Sequence, residues 1–144
     1  MQVSGEPAKN SKNAKGVKKP DVNDAMCPSR LVLEHVTSRW GVLILIALLD
    51  RSYRFSELRR KITGVSEKML TQTLQTLERD GFVHRDAQPV IPPRVDYSLT
   101  PLGAEAARLI AELGRWTEDR LAAVEEARGR YDERRAESRR AMSQ

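Results

Sequence analysis

With 144 residues the chain has room for one domain with a modest core, plus tails. Apolar residues make up 40%, charged residues 31% and aromatic side chains only 5%, a composition that argues against a large aromatic ligand pocket. The net charge of +5 favours an anionic partner such as nucleic acid, and the single cysteine, Cys27, excludes an internal disulfide and a cysteine zinc cluster.

Residues 1–26 carry five lysines (9, 12, 15, 18 and 19) among scattered Gly, Asn, Ser and Pro without hydrophobic periodicity, and are expected to be disordered. Such an arm can trail along DNA phosphates or simply keep the chain in solution. It has no apolar signal-peptide region, so a cytoplasmic location is expected. The longest apolar run, Val42 to Leu49, falls far short of the roughly 20 residues that span a bilayer, so no membrane partner is expected.

Cys27-Pro28 places a proline at the first position of a helix and the thiol at its N-cap, with Leu31, Val32, Leu33 and Val36 following. A helix N-terminus stabilises a thiolate, so Cys27 is a candidate regulatory thiol for a small oxidant or electrophile; it can equally be an inert cysteine at a domain edge. Arg39-Trp40-Gly41 then introduces VLILIALLD, apolar on every side. Its Leu and Ala content favours a helix that neighbours cover all round.

From Tyr53 to Asp80 the spacing predicts two short helices around a tight turn. Phe55, Leu58 and Ile62 form one face of the first, which Ser56 and Glu57 open; Gly64 breaks it. Ser66 can cap the second, on which Leu70, Leu74 and Leu77 share a face. The opposite face collects Lys68, Gln72, Gln75 and Arg79, with Thr71 at its edge. Two helices joined in this way form a helix-turn-helix whose second member can enter the major groove. There Gln can pair with adenine, Lys can reach guanine or phosphate, and a Thr methyl can meet thymine. Arg54 and Ser56, at the start of the first helix, join the residues assigned to DNA. On its own the stripe reads equally well as a solvated face.

Phe82 to Asp86 and Val95 to Leu99 have strand-like composition, separated by AQPVIPPR, whose three prolines cannot donate to a sheet ladder. A hairpin directly after a helix-turn-helix is the layout of a winged helix. Arg94, at the loop's exit, can enter the minor groove or grip phosphate, or else pair with Asp96 or Asp86. Thr100-Pro101 opens a long last helix on which Ala106, Leu109, Ile110, Leu113, Trp116, Leu121 and Val124 recur at spacings of mostly three and four. That stripe is too long for one small domain to cover. It predicts a homodimer seam through Leu109, Ile110, Leu113, Trp116 and Leu121, with packing onto the chain's own core as the alternative. From Arg128 onward six arginines stand against three acids, a frayed charged helix or a disordered tail. No catalytic or metal-binding constellation emerges: His35 and His84 lack partners at ligand spacing, and no Gly-rich phosphate loop exists. No cofactor is expected.

Cys27-Pro28, Arg39-Trp40, RFSELRR at 54–60, GVSEKMLTQ at 64–72, LERDGFV at 77–83 and PPRVDYSLT at 92–100 together resemble the HxlR family of small winged-helix transcriptional regulators, akin to MarR regulators. The resemblance covers roughly residues 27–116. It implies a mainly α fold with a small β-hairpin, a winged helix-turn-helix over 27–100 and a C-terminal dimerisation helix over 101–127, followed by a charged tail over 128–144. It further implies a homodimer on double-stranded DNA whose Ser66–Asp80 helix reads a pseudo-palindromic operator, and no enzyme. Ser66, Lys68, Thr71 and Gln72 match recognition-helix positions, Arg94 the wing, and Cys27 a thiol through which several members sense oxidants or aldehydes. Thr73 and Gln75 stand where members often carry arginine. Members with a second cysteine can bridge their subunits; this chain has none. A winged helix used as a protein-interaction module, and a nonspecific architectural DNA binder, remain alternatives.

Overall fold

The computed structural model describes residues 19–144. Most of the lysine-rich arm expected over residues 1–26 lies outside the described residues. Its end does not follow the expectation of disorder: Asp21 to Met26 fold into turns, with Asp24 N–H donating to Asp21 C=O at 3.1 Å and Cys27 N–H to Asp24 C=O at 3.0 Å.

The elements are α1 (Pro28–Val36), α2 (Arg39–Asp50), β1 (Tyr53–Arg54), α3 (Phe55–Lys61), α4 (Glu67–Arg79), β2 (Val83–Gln88), β3 (Arg94–Leu99), α5 (Pro101–Asp119) and α6 (Leu121–Met142). The apolar run becomes α2, started by Ser38, whose hydroxyl accepts from the N–H of Gly41 at 3.2 Å. Ile44, Leu45, Ala47 and Leu48 are buried, and the helix packs chiefly on α5 and α4. It is not covered all round as expected, because Leu43 stays 41% exposed.

Helix α3 is fixed by Glu57, whose carboxylate accepts from Arg54 N–H at 2.9 Å. The following turn needs the left-handed backbone of Gly64, at φ +92°. Ser66 caps α4 as the spacing predicts, accepting from Met69 N–H at 3.1 Å. Leu70, Leu74 and Leu77 disappear into the core. A second left-handed glycine, Gly81 at φ +86°, ends that helix and lets Phe82 N–H close onto Leu77 C=O at 2.9 Å.

The sheet has three antiparallel strands in the order β1-β3-β2. Val83 lies opposite Leu99 and Gln88 opposite Arg94, so the hairpin takes in Ala87, Gln88 and Arg94 beyond what composition suggested and only residues 89–93 remain as its tip. The extra strand β1 pairs Tyr53 with Tyr97 and Arg54 with Asp96, which ties the start of α3 to the wing.

Thr100 links the wing to α5: its hydroxyl accepts from Gly103 N–H at 2.9 Å and donates to Gly81 C=O at 2.5 Å. Gly103 is required here, since a Cβ would sit 1.9 Å from the carbonyl oxygen of Phe82. The long last helix expected over 101–127 is two helices, broken at Arg120 (φ −105°, ψ 9°). Of the two readings of residues 128–142, a frayed charged helix or a disordered tail, the helical one holds, and the helix is regular to Met142. No single helix among the described residues is long and apolar enough to cross a membrane.

Candidate nucleic-acid interface

The geometry of α4 divides its side chains cleanly. With three leucines buried, the opposite face presents Lys68, Gln72, Gln75 and Arg79 to solvent, with Thr71 beside them. At 100° per residue the helix's two carboxylates, Glu67 and Glu78, stand roughly 100° round from the centre of that face. The centre of the outward face is therefore free of acid, and both carboxylates lie beyond its Thr71 edge. Thr73 and Thr76 spend their hydroxyls internally, donating to Met69 C=O at 2.8 Å and Gln72 C=O at 3.1 Å. Among the described residues the side chains of Lys68, Thr71, Gln72 and Gln75 have no hydrogen-bond partner, so their donors and acceptors are available to a ligand.

The start of α3 lies alongside. Ser56, Arg59 and Arg60 are exposed and, with Phe55 and Glu67, line an open concavity at the α3–α4 junction. Arg59 approaches Glu67 at 3.6 Å, and Arg54, also exposed, stands at the N-cap of α3. Arg59 and Arg60 were not singled out by sequence reasoning. The available signal was their position off the Phe55–Leu58–Ile62 face, which leaves two adjacent guanidinium groups pointing out.

Ser56, Ser66, Lys68, Thr71, Gln72 and Gln75 lie on one two-helix unit with Arg54 just ahead of it in β1, and the hairpin strand that pairs with β1 carries Arg94. Its Nε donates to both oxygens of Asp96, at 3.1 and 3.2 Å, and Gln88 donates to the same carboxylate at 2.9 Å. This is the pairing that the sequence offered as the alternative to a groove-reaching arginine. The tip beyond it is apolar: Val90 is half exposed and Ile91 almost fully so.

Cys27 occupies the N-cap of α1 without making a capping hydrogen bond. Its sulfur lies 3.2 Å from the hydroxyl of Ser29 and accepts the N–H of Asp21 at 3.3 Å. These contacts hold the thiol below its ordinary pKa, Ser29 first and the Asp21 amide second, against a weaker opposing charge on Asp24. A lowered pKa is what the N-cap position predicted; the largest cause, Ser29, stands in the first turn of α1, and the Asp21 amide ahead of the helix adds to it.

The apolar stripe of the last helices is only partly a surface. Leu109 (68% exposed), Leu113, Trp116 and Leu121 are open to solvent. Ile110, expected at a dimer seam, is instead 8% exposed and packed in the chain's own core, because α5 turns that edge onto α2. Helix α1 buries no residue at all and exposes Leu31, Val32 and Leu33.

This architecture and its helix-turn-helix coincide with a model of the HxlR-like helix-turn-helix, which matches residues 35–125. The chain belongs to the HxlR-like family. It is 63% identical over 98 residues to the uncharacterized HTH-type transcriptional regulator YtfH of Escherichia coli (strain K12), a match covering 68% of this chain and 78% of that protein. Among solved structures, the transcriptional regulator ytfH from Salmonella typhimurium superposes with a TM-score of 0.73 at 57% identity, covering 76% of this chain and 97% of that one. The redox regulator HypR in its oxidized form follows at a TM-score of 0.60 and 33% identity, over 65% of this chain and 96% of that one. This HxlR-like chain is a winged helix-turn-helix transcriptional regulator, in which α3 and α4 are the helix-turn-helix and β2–β3 the wing. Cys27 and most of α6 fall outside the matched span.

Proposed function

We propose that the chain is a homodimeric, sequence-specific repressor that sets two α4 helices into successive major grooves of a pseudo-palindromic operator, about 34 Å apart, under the control of its thiol. The observation that carries this reading is the outward face of α4, on which Lys68 and Gln72 have no hydrogen-bond partner among the described residues, with Thr71 at its edge, seated on three buried leucines. In this reading Lys68, Thr71 and Gln72 read bases in the first two turns and Gln75 extends the contact. Ser66, Ser56 and Arg54, joined by Arg59 and Arg60, take phosphates, and Arg94 flanks from the wing.

Dimer formation is supported by the exposed apolar stripe of Leu109, Leu113, Trp116 and Leu121, together with the uncovered leucines of α1. Thiol control is supported by the lowered pKa of Cys27 and by similarity to a redox regulator. With no second cysteine, Cys27 can pair only with its twin, take up a small thiol, or be alkylated.

The test is a gel shift on the region upstream of the chain's own gene, with and without nonspecific competitor. Binding that survives competitor is expected. No binding favours the protein-interaction module, and binding lost to any competitor favours the architectural role. Thiol control is tested separately: Cys27→Ser should abolish the effect of diamide on operator binding, and an undiminished effect sinks it.

A further inference from the structure

Helix α1 and the recognition helix are joined by one polar contact. His35, in the last turn of α1, places Nδ1 2.5 Å from Oδ2 of Asp80, the C-cap residue of α4 and 45 positions further along the chain. Both side chains are largely shielded from water, at 23% and 13% exposure. The rest of the α1–α4 junction is thin, since α1 buries no residue anywhere along its length.

Asp80 is an odd choice for its own helix. A carboxylate at a helix C-terminus faces the negative end of the dipole and the last unpaired carbonyls, where Asn or a cation serves better. Helix α4 therefore gains nothing locally from a charge at this position. The geometry gives the charge a different use, as the acceptor that pins the imidazole of α1.

The imidazole also borders the recognition surface. His35 and Ser38 line one wall of a cleft whose other wall is Met69, Gln72, Thr73 and Thr76, the shoulder of α4 next to its outward face. Tilting α4 about its buried leucines would open or close that cleft and swing Gln72. A bond at the C-cap, at the end of the lever, resists such a tilt most effectively.

We propose that His35 and Asp80 form a positioning pair that sets the pose of α4 for base reading, resting on the assignment of α4 as the operator-reading helix.

The experiment uses the full chain, a duplex selected from a random-sequence library by the wild type, and a scrambled duplex of the same length. His35→Ala, Asp80→Asn and the double variant are compared for affinity by fluorescence anisotropy and for thermal unfolding. Asn suits a helix C-terminus, so Asp80→Asn should melt no lower than wild type. It should nonetheless bind the selected duplex several-fold to tenfold more weakly, with little change on the scrambled one. The double variant should lose no more than the worse single variant, because both act on the same contact, which Asp80→Asn weakens by removing the charge and His35→Ala removes outright. Wild-type affinity for the selected duplex in both single variants overturns the pair's role, as does an equal loss on both duplexes or a double loss equal to the product of the single ones. A wild type that selects no duplex at all overturns the base-reading assignment itself.

Discussion

Helix α4 and the α5–α6 pair carry similar stripes of large apolar residues and dispose of them in opposite ways. The three leucines of α4 are all at or below 1% exposure, enclosed by α2 and the base of the wing, so what that helix has left to offer is polar. Helix α5 makes its close approach to α2 with Ala107, Ile110 and Ala111, and its larger residues Leu109, Leu113 and Trp116 face away. What it offers is apolar. A spacing of three and four predicts a stripe in both cases, and the placement of the neighbouring elements decides how much of it the chain itself covers: α2 lies along the Ala107–Ile110–Ala111 edge of α5 and leaves Leu109, Leu113 and Trp116 outside.

The contrast is broken most severely at the core. Leu74→Ala should cost about 2–5 kcal/mol, read from urea denaturation, since a fully buried leucine leaves a cavity that its neighbours fill only in part. Trp116→Ala removes a larger side chain, yet it should leave denaturation of the dilute chain within about 1 kcal/mol of wild type, and instead shift the sedimentation profile from dimer toward monomer. If Trp116→Ala destabilises the chain as much as Leu74→Ala does, α5 is covered in cis and the contrast fails. On the polar side, Gln72→Ala should weaken binding to a selected operator by about 1–3 kcal/mol without altering stability. Equal loss on random DNA would remove Gln72 from base reading.

How far these surfaces were legible in the sequence depended on how local their causes are. The run Leu70-Leu74-Leu77 with Ser66 ahead and Gly81 behind is complete within α4 and its flanks, so its buried face, cap and outward residues all follow from spacing. The strand Tyr53–Arg54 was not legible, because two residues carry no pattern and exist as a strand only through Tyr97 and Asp96. The break at Arg120 has no proline or glycine to announce it. For the tail beyond Arg128 composition left a frayed charged helix and a disordered tail both open, and the helix is what forms: arginine, glutamate and alanine are good helix formers, and Arg130 bonds Glu126 one turn back at 2.6 Å. Ile110 and Leu109 are adjacent members of one stripe, and only the position of α2 sends the first inward. The His35–Asp80 bond spans 45 residues and lies beyond any window.

A smaller effect sharpens the reading of the thiol. Ser29 is the largest cause of the lowered pKa of Cys27, so Ser29→Ala should move the midpoint of the pH dependence of iodoacetamide alkylation upward and slow the reaction at pH 7 by a few-fold. The sign follows from the thiolate being the reactive form: raising the pKa lowers its fraction at any pH below the midpoint. A midpoint unchanged in Ser29→Ala would assign the effect to the backbone amides of Asp21 and Ser29, which the substitution leaves in place.

The smallest effect is expected at the wing, where a charge stands in the sequence position of a DNA contact and is already engaged. Arg94 is held by Asp96 through Nε, and Asp96 is held in turn by Gln88, so docking the guanidinium on phosphate means weakening an existing pair. Arg94 is nearly half exposed, so the pair contributes at most about 1 kcal/mol, which makes the competition close. Arg94→Ala should therefore reduce operator affinity less than Gln72→Ala does, and change the slope of log affinity against log salt by less than the full unit of one free phosphate contact. Asp96→Asn should do the reverse. It removes the intramolecular claim on the arginine, leaves the ladder intact, and should raise affinity on every sequence while steepening the salt dependence. A loss of affinity in Asp96→Asn would mean that the carboxylate positions Arg94 for DNA instead of restraining it, and the wing would then belong with α4 among the surfaces built to read the operator.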